Sequence, residues 1–213
     1  VLLDHVQFRK NYFHNRNRIR TDRGAGWLTV PVLTKGRTGQ RISDVEIDNG
    51  GSLRWREKYW GSLVQHYQKA PFWTEHMPFF DGLRHHPWDR LADLNESMIR
   101  HLMDALAIET RIVKSSGLDV QGVRGELVLN ICLAVGADVY LSGISGKDYL
   151  DPGEFKVRGI DVRFQEFHHP IYRQLYEPFI PCMSAVDLVL NHGPQSIDIL
   201  KGVGVPTMEQ VFL

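Results

Sequence analysis

From residue 110 onward the chain alternates between two hydrophobic periods, and that alternation constrains the fold more than any other feature. Ile112-Val113-Lys114-Ser115-Ser116 reads as a strand closing on a polar turn, and Arg124 to Val135 reads as a helix stopped by Gly136. Asp138-Val139-Tyr140-Leu141-Ser142 returns to strand, and Ile160-Asp161-Val162-Arg163-Phe164 alternates as a half-buried strand. The gaps between these strands are of crossover length. Parallel neighbours need such gaps, whereas antiparallel neighbours need only a tight turn. The expected fold class is α/β, with a mostly parallel, Rossmann-like sheet.

A helical block interrupts the pattern upstream. Trp55, Tyr59, Leu63 and Tyr67 fall on one helix face, and Pro71 ends that segment. Pro78 and His85-His86-Pro87 bracket a short helical turn at 79–84, and Leu91 to Leu106 carries the strongest helical period. The chain is therefore expected to form a single α/β domain over 1–213, with a helical insertion at roughly 55–108. Thr29-Val30-Pro31-Val32 reads as a short edge strand. Ile42, Val45 and Ile47 suggest an extended piece inside the glycine-bearing segment 34–52, and the tail 183–200 is helical around Ala185–Leu190. Val1-Leu2-Leu3-Asp4 reads as the end of a buried strand, so upstream residues are expected.

Charge and cysteine usage narrow the function classes. Lys plus Arg and Asp plus Glu are 25 each, a net charge of zero, which argues against a dedicated nucleic-acid binder. Cys132 and Cys182 sit among apolar residues, with no paired or zinc-like spacing. The apolar stretch around 127–142 is broken by Asn130, Gly136 and Asp138, so no membrane insertion is expected, and a cytoplasmic protein is the default.

Three stretches carry candidate chemistry. Ser142-Gly143-Ile144-Ser145-Gly146-Lys147 follows a strand, where α/β proteins bind ligands. Gly143 and Gly146 would let the backbone approach an anion, with Ser142 beside them and Lys147 as counter-charge. The same residues also describe an ordinary βα turn, since Lys147 is followed by Asp148 and no Walker A spacing is present. Asn15-Arg16-Asn17-Arg18-Ile19-Arg20 concentrates donors, and Asn15, Arg16 and Arg18 are candidates for phosphate or carboxylate; a solvated charged strand or loop is the alternative. His168 and His169 lie past the 160–164 strand, where either imidazole suits a general base. Adjacent side chains on extended chain diverge, so this pair is a poor metal site, and no metal is expected. Asp4 and Gln7, at the end of the first strand, are candidates for orienting polar substrate groups.

The segments "LLDHVQFRKNYFHNRNRIRTDRGAGWLTVPV", "WREKYWGSLVQHYQKAPFW", "LADLNESMIRHLMDALAIET", "LNICLAVGADVYLSGISGKDYLD", "FQEFHHPIYRQL" and "FIPCMSAVDLVLNHGP" occur in this order. Together they resemble the WbqC-like family across essentially the whole chain. The resemblance implies a bacterial glycyl or aminoacyl (acyl) transferase acting on a nucleotide-linked amino sugar in O-antigen or other surface-polysaccharide biosynthesis. Its substrate would be a small phosphorylated molecule such as a nucleotide-sugar. Alternatives are a non-catalytic nucleotide-sugar binding or assembly protein and an ATP-using nucleotidyl transferase or ligase. The family's histidine-bearing opening segment, His-Gln-Pro-x-Tyr-x-Pro-Trp, is not found in this sequence. That opening is itself similar to the nucleotidylyltransferase and pantothenate-synthetase group, an analogy that agrees with a parallel sheet. Neither the residues nor the resemblance names a cofactor.

Overall fold

The computed structural model describes residues 1–50, 54–204, 206 and 208. In chain order the strands and α-helices are β1 (Arg16–Thr21), β2 (Gly24–Thr29), α1 (Trp55–Tyr67), α2 (Trp73–His85), α3 (Leu91–Ala105), α4 (Arg124–Ala134), β3 (Val139–Ser142), α5 (Pro152–Val157), β4 (Asp161–Phe164), α6 (Ala185–His192) and α7 (Ser196–Leu200). The fold is mixed α/β. The chain divides into two compact units, one of residues 1–5 with 112–167 and a larger one of residues 6–111 with 168–213.

In the smaller unit β3 and β4 pair in parallel, from Val139 opposite Asp161 to Ser142 opposite Phe164. The crossover between them carries α5, which starts where the Asp151 carboxylate accepts from the Gly153 N–H at 2.8 Å and Pro152 presets the first helical turn. Leu129, Cys132, Leu150, Phe155 and Ile160 form the core of this unit. The chain start joins it through a parallel bridge between Leu2 and Lys114.

The larger unit opens with an antiparallel hairpin, β1 against β2, with Arg16 opposite Thr29 and Thr21 opposite Gly24. The expected continuous, Rossmann-like sheet is thus not what the described residues form: they make two two-stranded sheets, of which only β3–β4 is parallel. Residues 1–4 and 112–116, read as strands, meet in a single isolated bridge between Leu2 and Lys114 and so do not extend β3–β4. Two residues, Asp22 and Arg23, separate β1 from β2, with Gly24 at φ +118°, and so short a link permits only antiparallel pairing. Strand content also falls earlier than 29–32, where Val32 makes one isolated bridge to Ile47.

Helices α1 to α3 supply most of the wall around this unit's core. Residues 73–85 form a continuous helix through Pro78, where the sequence suggested a break. Trp73, His76, Phe80 and Leu83 are buried along it at helical spacing, and that buried stripe holds the helix across the hydrogen bond that proline removes.

The centre of the larger unit is polar. Asp187 on α6 is fully buried and accepts from Tyr67 Oη at 2.8 Å, Tyr172 Oη at 3.0 Å and Gln174 Nε2 at 2.9 Å. Tyr67 Oη in turn accepts from the Arg20 backbone N–H at 2.9 Å, and Gln174 Oε1 accepts from the Ile180 N–H at 2.9 Å. Burial pushes the Asp187 carboxyl upward, against those three hydrogen bonds and the nearby Arg20 charge. Replacing Tyr67 by Phe leaves an Arg20 N–H and an Asp187 oxygen without their partner. We expect a loss of about 1–3 kcal/mol, read as a lower urea midpoint with an unchanged denaturant slope.

Candidate functional site

The larger unit holds a cavity of about 250 Å³. Helical period brings α1 to it: Trp55, Tyr59 and Trp60 line it, with Arg56 beside them. Phe80, Leu83 and Arg84 come from α2, and Leu94, Asn95, Met98 and Leu102 from α3. The hairpin and the chain before it contribute His14, Asn15, Arg16, Asn17 and Leu28. No aspartate or glutamate is among the lining residues described.

The polar groups of this wall are held in definite ways. Asn15 Nδ2 donates to the Val30 carbonyl and Asn95 Nδ2 to the His14 carbonyl, each at 2.9 Å. Arg84 is taken up by Asp81 at 2.7 Å and Glu57 at 3.2 Å. Arg16 lies over the Trp27 ring at 4.3 Å and donates to the Asn11 carbonyl. Arg56 lies 5.6 Å from the Trp55 ring centroid and donates to Asn49 Oδ1 at 3.0 Å. Among the described residues neither Arg16 nor Arg56 has a carboxylate partner, so they set the sign of the field. His14 Nδ1 accepts from the Arg9 N–H at 3.1 Å, which leaves the proton to Nε2. Burial, and then the charge of Arg9, hold His14 below its usual range. Burial also drives the Tyr59 phenol up to about 12, in keeping with a dry wall.

The structure therefore brings Asn15 and Arg16 to a shared cavity. Arg18 is outside its lining; its backbone N–H donates to Asn17 Oδ1 and its carbonyl accepts from Ser184 N–H, both at 2.8 Å. Gln7 is exposed and pairs with Arg41 in an isolated bridge of the larger unit. His169 donates from Nδ1 to the Pro170 carbonyl at 2.7 Å and accepts the Cys182 N–H on Nε2 at 3.0 Å, so both ring nitrogens serve the backbone. His168 is exposed.

The remaining candidates lie in the smaller unit. Asp4 is buried and accepts from Ser116 N–H at 2.7 Å, Ser116 Oγ at 2.5 Å and Ser115 Oγ at 3.1 Å. Burial alone would raise its pKa, but those hydrogen bonds outweigh it and hold the carboxyl below its usual range. Ser115 Oγ also meets His5 Nδ1 at 2.5 Å. These bonds tie the chain start to the turn at 115–117.

After β3 the chain turns through a short 3₁₀ helix, Ile144–Asp148. A side chain at Gly146 would meet Ser142 Oγ at 2.0 Å and Leu150 Cδ1 at 2.9 Å, so packing alone demands this glycine. Around Gly143 there is open space and its φ is −65°, so nothing in its surroundings calls for a glycine. Ser142 is buried and its hydroxyl donates to the Gly143 carbonyl at 3.0 Å. Lys147 Nζ lies 5.4 Å from the Phe164 ring centroid. Among the described residues, no three His, Cys, Asp or Glu side chains group as a metal site, and no helix is long and apolar enough to cross a membrane.

Sequence reasoning missed the cavity because its wall comes from three helices and a hairpin. Its signal was present in part: Trp55 and Tyr59 share the predicted face of α1. Behind the wall, His101 stacks on Phe79 at 3.7 Å and meets His76, with Nδ1 and Nε2 3.2 Å apart. Burial, and then His76, hold His101 down to about 4, against an ordinary 6.5. The folded state thus disfavours a proton that the unfolded state accepts, so stability is full above about 6.5 and falls as pH drops toward 4. Melting temperature should decline across this window, and His101→Phe should flatten that part of the curve.

Comparison with known proteins follows this geometry. The chain is 31% identical over 206 residues to the uncharacterized protein Rv1507c of Mycobacterium tuberculosis, which covers 94% of this chain and 87% of that protein. No solved structure matches the chain significantly. The model of the WbqC-like protein family matches residues 1–199.

Proposed function

The chain belongs to the WbqC-like protein family, and from that premise we propose that it is a cytoplasmic transferase that moves an acyl or aminoacyl group onto a nucleotide-linked amino sugar during O-antigen or other surface-polysaccharide synthesis. The observation that carries this reading is the cavity: an aromatic and aliphatic wall and, among the described residues, two guanidinium groups without carboxylate partners and no acidic side chain in the lining. Such a site suits a ligand with an apolar or planar body and an anionic group, as a phosphate-bearing carrier has.

In the transfer step the amine nitrogen attacks the acyl carbonyl. The new C–N bond forms as the bond to the activated carrier breaks, the carrier leaves with the electron pair, and the amine proton passes to a base. His168 and His169 are the candidates for that base; neither lines the cavity, and both nitrogens of His169 are engaged by backbone groups. The occupied ring of His169 is also what favours the second reading, a protein that binds the nucleotide-sugar without turning it over.

The test is calorimetric titration of a panel of nucleotide-linked sugars at two ionic strengths, with mass spectrometry for acylated product. Arg16→Ala and Arg56→Ala should each weaken binding by roughly tenfold or more, about 1.5–3 kcal/mol. Lysine at either position should not restore it where a planar fork is needed, and added salt should weaken it further. Arg18→Ala tests whether that cation also reaches the ligand. Binding without product under any activated acyl donor supports the second reading, and pyrophosphate release with ATP would point to nucleotidyl transfer instead.

A further inference from the structure

We infer that the cavity seats a bulky apolar acyl group, so that the group this protein handles is much larger than glycyl. The inference rests on the acyl-transfer reading for its chemistry and on the cavity for its size. About 250 Å³ falls below the roughly 300–1,000 Å³ typical of pockets that enclose a whole drug-sized ligand. The cavity therefore holds one portion of a nucleotide-linked substrate or of its acyl donor.

The wall decides which portion. Trp60, Phe80, Leu94, Met98 and Leu102 present rings, a thioether and branched chains. A glycyl group has no side chain to set against them, and water left in its place would face apolar surface. Asn15 and Asn95 each give an amide N–H to a backbone carbonyl and Arg84 is held by two carboxylates, whereas the buried Asn15 Oδ1 has no partner and offers an acceptor for one N–H of the ligand, as the α-amine of a bulky aminoacyl group supplies. Arg16 and Arg56 remain for the polar end of the ligand. The arrangement is that of an amphipathic acid: its apolar body lies among the helices, and its carboxyl or activated carbonyl end lies toward the guanidinium groups.

Free carboxylates serve as probes, their charged end standing in for the activated carbonyl. Acetate, butyrate, hexanoate and octanoate, and glycine, leucine and phenylalanine, are titrated into the protein and followed by calorimetry and by the emission of Trp55 and Trp60. Affinity should rise about three- to fourfold per added methylene until the cavity is full, with the emission change sharing each midpoint. Phenylalanine and leucine should bind more tightly than glycine. Met98→Trp, which fills the cavity, should abolish the chain-length ladder; should that variant not fold, the wild-type ladder still decides. Affinity independent of chain length, or glycine binding as tightly as phenylalanine, overturns the inference. A ladder without any nucleotide-sugar binding upholds the cavity assignment and removes the transfer reading, whereas nucleotide-sugar binding without a ladder does the reverse.

Discussion

A single buried carboxylate organises the larger unit. Asp187 has no exposure to solvent, and it receives hydroxyls from α1 and from residue 172, and an amide from residue 174. Through Tyr67 it also fixes the backbone of β1 at Arg20. A carboxyl group in such surroundings persists only with its oxygens satisfied, and removing one partner costs more than the bond itself contributes. Satisfied in this way, it sets α1, α6, β1 and the 172–180 segment at fixed separations. The apolar core around it tolerates many packings; the carboxylate accepts few.

Arg20 is the complementary element. It is 2% exposed, donates to the Pro178 carbonyl at 3.0 Å and contributes its charge to the field at Asp187. Arg16, four residues earlier on the same strand, remains at the cavity wall. One strand thus assigns its arginines to two places, the buried polar centre at position 20 and the cavity wall at position 16. The cluster that looked uniform in the sequence is divided by the hairpin's burial pattern, which follows the fold of the helices against it.

Helices were the most legible feature. Residues 55, 59, 63 and 67 announce α1 by spacing alone, and the period of α3 places Leu91 and Leu94 in the core. Residues 138–142 and 160–164 read as strands, and 139–142 pairs in parallel with 161–164. What the sequence concealed was pairing: 16–21 and 24–29 are joined as an antiparallel hairpin by a two-residue turn whose effect is geometric. Pro78 misled because its local penalty is offset by burial of Trp73, His76 and Phe80. At the candidate site, Asn15 and Arg16 were visible as a run of donors, but Arg56, Tyr59 and Trp60 belong to it only through tertiary packing. Asp187 left a faint trace, one acid inside the apolar run Ala185-Val186-Asp187-Leu188-Val189-Leu190.

The reach of the Asp187 network also bears on how the protein is made. Tyr67 and its acceptor are 120 residues apart in sequence. A ribosome adding roughly 5–20 residues per second needs on the order of ten seconds to cover that distance. Throughout that interval α1 and β1 lack the carboxylate that will hold them, and α6 has not emerged to cover Tyr67. The N-terminal half of the larger unit therefore waits on the synthesis of residue 187 for the contact that closes it.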